Sequence, residues 1–553
     1  MRRVFIAVAA GIALADASIV TLGLPSILVE LKATVEGVAL VLGVYTAVLA
    51  LALLPAAWLC RRYGDAHVGA AGFALFLAAS LGCGASDSLA LLLVLRGIQA
   101  IGAAGGLVAA FELLDAGRPG AGRRLWVAAS VFGIAVGPAL GGALTQAFSW
   151  RAIFLAQAPI VLPGLVVALL AARGERVVPD DGRDPDRPTG PLPWRAAAAL
   201  GLLSASLTAV IFLVVLLLVS GWSIEPLAAA LAVSVLPVAA IVSSRVRGGA
   251  ETKAIAGCLL VAGGVGCLAL MPGASAWWTV IPQVLAGAGM GMALPALSGE
   301  LIPEHTRHDV ARLLSIRHAG IAIGLALLAP LISSNLTTTI DSAREQGTAA
   351  VLDARLPPED KIAIAPDLFG GLNTDDPRGQ LQKSIAGAES DHPDEAGELG
   401  RLGSTLDDVV TTAVRRAFRP AFVVTSVLAL LAALVLLSGA LGGAIARPAV
   451  TAAAAAAIAA SAGYGIAFAS TSQVVVPIRD PCKDRQLPDT GGITGALQDI
   501  SLSALDRAAC TFGSSREELL LALFNDRLQH KFEEEHHVNP RSVLSLGPAL
   551  LGL

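Results

Sequence analysis

Thirteen stretches of about 20 residues, nearly all apolar, divide this chain and leave it few options. Six occupy positions 4–29, 38–60, 67–86, 88–114, 124–147 and 151–172, and five more occupy 194–220, 226–247, 252–271, 277–300 and 309–334. Two further runs, 420–443 and 449–470, follow a polar interval. A helix of ~20 apolar residues spans the ~30 Å of hydrocarbon in a bilayer, and a backbone crossing lipid must satisfy its own polar groups, which helices do. With 55% hydrophobic and 15% charged residues and a mean hydropathy of +0.70, the chain is expected to be an all-α membrane protein. A net charge of −4 argues against a nucleic-acid partner.

The first run begins MRRVFIAVAAGIALADAS, which has the basic start and small residues of a signal peptide. It continues through Val29, however, roughly 25 residues in all, so it reads as an uncleaved first membrane helix. Basic residues occupy alternate loops: Arg61 and Arg62, Arg118 with Arg123 and Arg124, Arg245 with Arg247 and Lys253, and Arg307 with Arg312. Positive loops stay in the cytoplasm, which puts Met1 and the Asp-, Arg- and Pro-rich segment 173–193 inside. Six helices (1–172), a cytoplasmic linker (173–193) and six more (194–334 plus 420–443) suggest two packed bundles with a pathway between them. By the same count 335–419 lies outside, and 449–470, if it inserts, is a thirteenth helix that carries 471–553 outside as well. The alanine richness of that run leaves the alternative that it does not insert and the tail is cytoplasmic.

Polar groups inside apolar runs mark the candidate sites. Asp16 falls near the middle of the first run, where a charge costs about 2.5 to 3.5 kcal/mol, so it should face a cavity or a partner. Desolvation favours the neutral acid, which makes Asp16 a candidate proton carrier. Arg96, with Gln99 one turn on, can hold a carboxylate ionised or bond backbone carbonyls. Glu112 is near the cytoplasmic end of the same run. Arg317 and His318 lie about two turns into the eleventh run, where His318 can titrate near neutrality or serve as a hydrogen-bonded structural residue.

The fifth run contains GIAVGPALGG, residues 133–142. In lipid such small residues allow a second helix to approach closely. Gly133, Gly137 and Gly141, four apart, share a face; Pro138 removes one backbone hydrogen bond and predicts a bend. Four cysteines belong to apolar runs; Cys482 and Cys510, in the polar tail, are disulfide candidates if that tail is outside the cytoplasm. The tail segment SREELLLALFNDRLQHKFEEEHH reads as one helix with an apolar stripe through Leu519, Leu520, Leu523 and Phe524. His530, Glu534 and His537 share one of its faces, but a solvated helix end explains them better than a metal, and no metal or cofactor is expected.

Together these motifs resemble the major facilitator superfamily, specifically its drug:proton antiporter branch. GIAVGPALGG resembles the fifth-helix antiporter motif GxxxGPxxGG, Gly142 included, and WRAIFLAQAPI resembles WRWIFLINVPI, with Gln157 where asparagine is common. LADASIVTLGLPSI is similar to LDxTIVNVALP, LRGIQAIGAAGG to RxxQGxGAA, and SIRHAGIAIGLAL to TRQLGGALGVAL. The resemblance covers about 1–334 and, weakly, 420–443. It implies a major facilitator fold, alternating access, and export of a compound in exchange for protons across the cell membrane; the few intramembrane charges and many small apolar residues suit a lipophilic compound, drug or lipid. Asp16 would then serve proton or substrate coupling, Arg96 proton transfer, and Gly137 with Pro138 the bend that seals one bundle against the other.

Three departures qualify this. In AAWLCRRYGDAHVG, Arg61 stands where the family has aspartate and Asp65 where it has arginine, so that Arg61, Arg62, Gly64 and Asp65 form a latch of exchanged sign. An arginine near a positive helix N-terminus would be repelled. The helix count fits twelve plus one, whereas many relatives have fourteen. Finally, 335–419 and 471–553 are additions expected to form short helices over the outer mouth, handling substrate or contacting envelope components. The competing reading is a scaffold or receptor that kept the fold and lost transport.

Overall fold

The computed structural model describes the chain except residues 117–119, 175–192, 302–305, 358–360, 362–376, 392, 440–446, 472–475, 484, 486, 489–491 and 546–553. Side chains at 127, 130–136, 299–300, 377, 380, 394, 492–494 and 543–545 are also outside the description. Among the described residues all regular structure is helical, and twelve helices are long and apolar enough to cross a membrane. The chain divides into two compact units. The first comprises 1–220, 224–333 and 418–471, and the second 221–223, 334–417 and 472–553.

In the first unit, α1 (Arg2–Thr21) and α2 (Leu24–Glu30) replace the single first helix expected over 4–29. Pro25, at the start of α2, has no N–H to donate and crowds the preceding turn, so the helix restarts there. α3 (Val35–Tyr63), α4 (Asp65–Gly84), α5 (Leu89–Leu113), α6 (Ala121–Ala147) and α7 (Trp150–Ala172) complete the first half. α4 packs on α5 where Gly72 and Gly102 abut: a Cβ on Gly72 would lie 2.5 Å from the Gly106 nitrogen. Small residues serve here as bilayers require, since apolar burial gives no drive for helices to meet in lipid.

The second half has α8 (Trp194–Leu216), α9 (Pro226–Val233) and α10 (Val235–Ser243), which divide the run expected as one helix, then α11 (Ala250–Leu268) and α12 (Val280–Pro295). α11 meets α12 as α4 meets α5, with a Gly257 Cβ 2.5 Å from the Gly289 carbonyl oxygen. Two helices belong to both units: α13 runs unbroken from Arg307 to Asp353, and α15 (Ala396–Leu437) is preceded by α14 (Pro377–Asp391). The expected helix ends at 334 and 420 are therefore not helix ends. The polarity of the sequence changes there, but helix-forming residues continue, and Pro420 is accommodated inside α15. Of the stretches expected to form short helices, 358–360 and 362–376 lie outside the described residues.

α16 (Pro448–Ser470) is 23 residues long and sufficiently apolar to cross a membrane. It packs on α11, where a Cβ on Gly263 would meet that of Ala457 at 2.4 Å. The Tyr464 hydroxyl donates to the Trp278 carbonyl at 2.7 Å, and Arg447 pairs with Glu251 at 3.1 Å.

The second unit contains α17 (Gly492–Phe512), α18 (Arg516–Phe524) and α19 (Asp526–His536). The one tail helix expected from the sequence is broken at Asn525, whose side chain accepts from the Leu528 N–H and so starts α19. Ser515 caps α18 by accepting from the Glu518 N–H. Of the expected stripe, Leu519 is buried with Ala508, Ala509, Ala522 and Phe532, while Phe524 is exposed. Cys482 and Cys510 form a disulfide, and the other four cysteines are buried thiols.

Candidate functional site

Asp16 of α1, Ser80 of α4, Arg96 and Gln99 of α5 and Gln157 of α7 meet in the interior of the first half. Each is 2% exposed or less. Asp16 Oδ2 is 2.6 Å from Arg96 Nη1, and its Oδ1 accepts from Gln157 Nε2 at 2.9 Å. Arg96 Nη1 donates to Gln99 Oε1 at 2.6 Å. Gln99 Nε2 in turn donates to Ser80 Oγ and to Gln157 Oε1, closing a ring of hydrogen bonds around the ion pair. Arg96 Nε donates to the Val41 carbonyl of α3, and its guanidinium lies 4.2 Å from the centre of the Tyr45 ring. Tyr45 is fixed by donating to the Ala13 carbonyl.

A dry ion pair is stable only when its remaining donors and acceptors are filled, and here they are filled almost completely. Asp16 Oδ2 and Arg96 Nη2 have no hydrogen-bond partner among the described residues, because the 2.6 Å approach of the pair is not aligned as a hydrogen bond. A proton would compete with Arg96 for the Asp16 carboxylate, and a ligand acceptor would compete with the carboxylate for Arg96. The apolar runs announced Asp16, Arg96 and Gln99. Ser80 and Tyr45 gave no signal of their own, and Gln157 was visible only as a variation on asparagine.

α6 presents its glycines to two different partners. A Cβ on Gly137 would lie 2.7 Å from Ser18 Cβ, and one on Gly141 would lie 2.2 Å from the Ile19 carbonyl, both on α1 within the same half. On Gly142 it would meet Ala230 Cβ of α9, in the other half, at 2.4 Å. Beside that contact Gln146 donates to Glu225 and accepts from the Leu227 N–H. Pro138 lies within a helix that is continuous to Ala147, and Gly133 is outside the described side chains. Near the same end, Trp150 donates to Glu30 at 2.6 Å and Arg151 pairs with Glu30, so the WRAIF segment clamps the end of α2.

At the opposite end the halves meet through charge. Arg307 Nη2, at the start of α13, bonds Asp65 Oδ2 at 3.0 Å, and its Nε lies 3.9 Å from Glu112. The expected repulsion at Arg61 does not arise. Arg61 and Arg62 fall in the last turn of α3, where the helix dipole favours cations, and Asp65 in the first turn of α4, where it favours anions. Gly64 joins the two helices in one residue at φ 89° and ψ 147°, a conformation natural to glycine. Arg62 lies 5.9 Å from the Trp58 ring centre and 5.8 Å from that of Tyr63.

Arg317 is half-buried in α13 with no ion-pair partner among the described residues. His318 is 6% exposed and its Nδ1 meets the Leu314 carbonyl at 2.8 Å. His530, Glu534 and His537 do not converge; Glu518, Glu535 and His536 are the group whose ligand atoms come within 4.8 Å of one another.

The family model of the Major Facilitator Superfamily matches residues 6–325, more than half of the chain. The chain belongs to that superfamily. Among its relatives, the multidrug resistance protein Stp of Mycobacterium tuberculosis is 33% identical over 150 residues, 26% of this chain and 28% of the relative. The tetracenomycin C resistance and export protein of Streptomyces glaucescens is 31% identical over 180 residues, 31% of this chain and 34% of the relative. The matched stretches thus span about a third or less of these relatives' length. A solved bacterial homologue of the human lysosomal transporter Spinster shares the fold, with a TM-score of 0.53 and 18% identity over 79% of this chain and 95% of that one.

Proposed function

We propose that this chain is a proton-coupled exporter of a lipophilic small molecule, drug or lipid, working by alternating access in the plasma membrane. The observation that carries the reading is the fully buried Asp16–Arg96 pair within its ring of amides and hydroxyls. Asp16 would take up a proton, which releases Arg96 from its counter-charge. The freed guanidinium then seeks a new partner, and α1, α5 and α7 shift relative to one another to provide one. The names of the matched resistance and export proteins agree with this direction of transport.

Loop charge orients the N-terminus and the linker to the cytoplasm, and this orientation puts α16 in the role of a thirteenth crossing. The second unit is then extracytoplasmic. The Cys482–Cys510 disulfide supports that placement, because disulfides persist in oxidising compartments. There the second unit would meet substrate or envelope components. The transport-inactive alternative drew its motive from the exchanged charges at Arg61 and Asp65; Asp65 has its partner in Arg307, so it gains nothing from them.

Inverted membrane vesicles given a proton gradient test the proposal. Dye uptake should depend on the gradient and fall at least about tenfold in Asp16→Asn, which removes the titrating group and keeps the shape. Gradient-dependent uptake that survives the substitution would remove Asp16 from the coupling step.

A further inference from the structure

α13 turns one face to the first half of the bundle. Val310 and Ala311 belong to the same buried cluster as α1, α3, α4, α5 and α7, and Leu314 packs against it. Arg317 continues that face, in register with Leu313 at 4% exposure and Ile321 at 5%. The lipid-exposed residues of the helix, Ile323 and Leu327, are roughly a third of a turn away. The flank beside Arg317 is taken by α8, where a Gly320 Cβ would come within 2.2 Å of the Gly201 carbonyl. A charged side chain thus lies on the inward face of a spanning helix, and unlike Arg96 it keeps accessible surface.

No acid answers it. Asp16 is held by Arg96, Asp65 and Glu112 lie against Arg307, and Asp309 accepts from Thr306 about two turns nearer the helix start. His318, whose Nδ1 is bound to the Leu314 carbonyl, offers no negative charge. Arg317 makes no hydrogen bond or ion pair among the described residues. In a spanning segment, such a cation is expensive unless something anionic visits it.

We infer that Arg317 is an anion-recognition point between the two halves, and that the exporter's substrates are lipophilic anions, an apolar body bearing one carboxylate, sulfonate or phosphate. The inference rests on the export reading but concerns binding, which needs no proton gradient. The guanidinium supplies a planar fork of donors to the oxyanion.

Three pyrene derivatives differing only in headgroup provide the test: pyrenemethanesulfonate, pyrenemethanol and pyrenylmethyl-trimethylammonium. Each is titrated into the full chain in neutral-lipid nanodiscs, with energy transfer from tryptophan as the readout. The sulfonate should bind at least about tenfold more tightly than the ammonium probe. Arg317→Gln should lower sulfonate affinity to that of the alcohol and leave the alcohol's unchanged, and Arg317→Lys should restore part of it. Size-exclusion profiles establish that each variant is folded. Equal binding of the three probes, preference for the ammonium, or full sulfonate affinity in Arg317→Gln overturns the inference. The export reading fails separately: sulfonate selectivity that is lost in Arg317→Gln, together with dye uptake that does not depend on the proton gradient, would count against the coupling assignment alone.

Discussion

Both halves of the bundle bury an arginine, and they do so on opposite terms. Arg96 is sealed from all surroundings and given a carboxylate, an amide, a carbonyl and an aromatic face. Arg317 is left accessible and, among the described residues, unpaired. A paired, desolvated charge belongs to the resting structure, whereas an unpaired one is a standing invitation to something from outside. The first half thus resembles a lock that holds its own charge, and the second a receptor that lacks one.

Substituting each arginine by leucine is the strongest test of this contrast. Arg96→Leu strands Asp16 without a counter-charge and should cost about 3 to 5 kcal/mol, seen as lost folded protein and a lowered unfolding temperature. Adding Asp16→Asn should recover most of that stability. Arg317→Leu, which removes a charge that has no partner, should be neutral or slightly stabilising. If the two single variants lose equal stability, the contrast fails.

The ionic contact between the halves comes next in size. Asp65→Arg alone should weaken the Arg307 end, and Asp65→Arg with Arg307→Asp should recover transport, with a coupling of about 0.5 to 3 kcal/mol in a double-mutant cycle. Additive effects would show that the contact does not join the halves.

A smaller effect is expected at Glu345, in the part of α13 belonging to the second unit. Burial, with Glu518 nearby, raises its pKa from 4.5 to about 7. The folded state therefore holds its proton more tightly than the unfolded one, and the associated stability is complete below about pH 4.5 and lost as pH rises through about 7. Hydrogen exchange of 340–353 in the full chain, corrected for intrinsic rates, should accelerate from pH 5 to pH 8, and Glu345→Gln should flatten that dependence. An unchanged slope in the variant would dismiss Glu345 as its source.

Much of this was legible from residue type alone. A charge inside an apolar run is costly, so Asp16 and Arg96 stood out, and the superfamily came from the resemblance of the motifs around them, with GIAVGPALGG, to known family motifs. The partition of that motif was hidden: spacing places Gly137 and Gly141 on one face but does not say that Gly142 looks to the other half. The Asp65–Arg307 pair was hidden as well, since its members are 242 positions apart and each reads as an ordinary loop charge. Helix ends at 334 and 420 were misread because hydropathy reports the surroundings of a helix, not its continuity. The break at Asn525 was missed for the converse reason: one capping side chain outweighs an uninterrupted helical pattern.

Two of the places where the halves touch are made of different materials. At Gly142 the contact is methyl against backbone, with the exposed Gln146 amide donating to the Glu225 carboxylate at its margin. At Asp65 it is charge against charge. Dissolved salt acts more on the second than on the first. Between 0.01 M and 1 M ionic strength the screening length falls from ~30 to ~3 Å, which weakens the partly buried Arg307–Asp65 pair to a degree and the glycine packing hardly at all. The composition of the medium therefore biases the relative strength of the two contacts, and the ionic one yields to salt before the packed one.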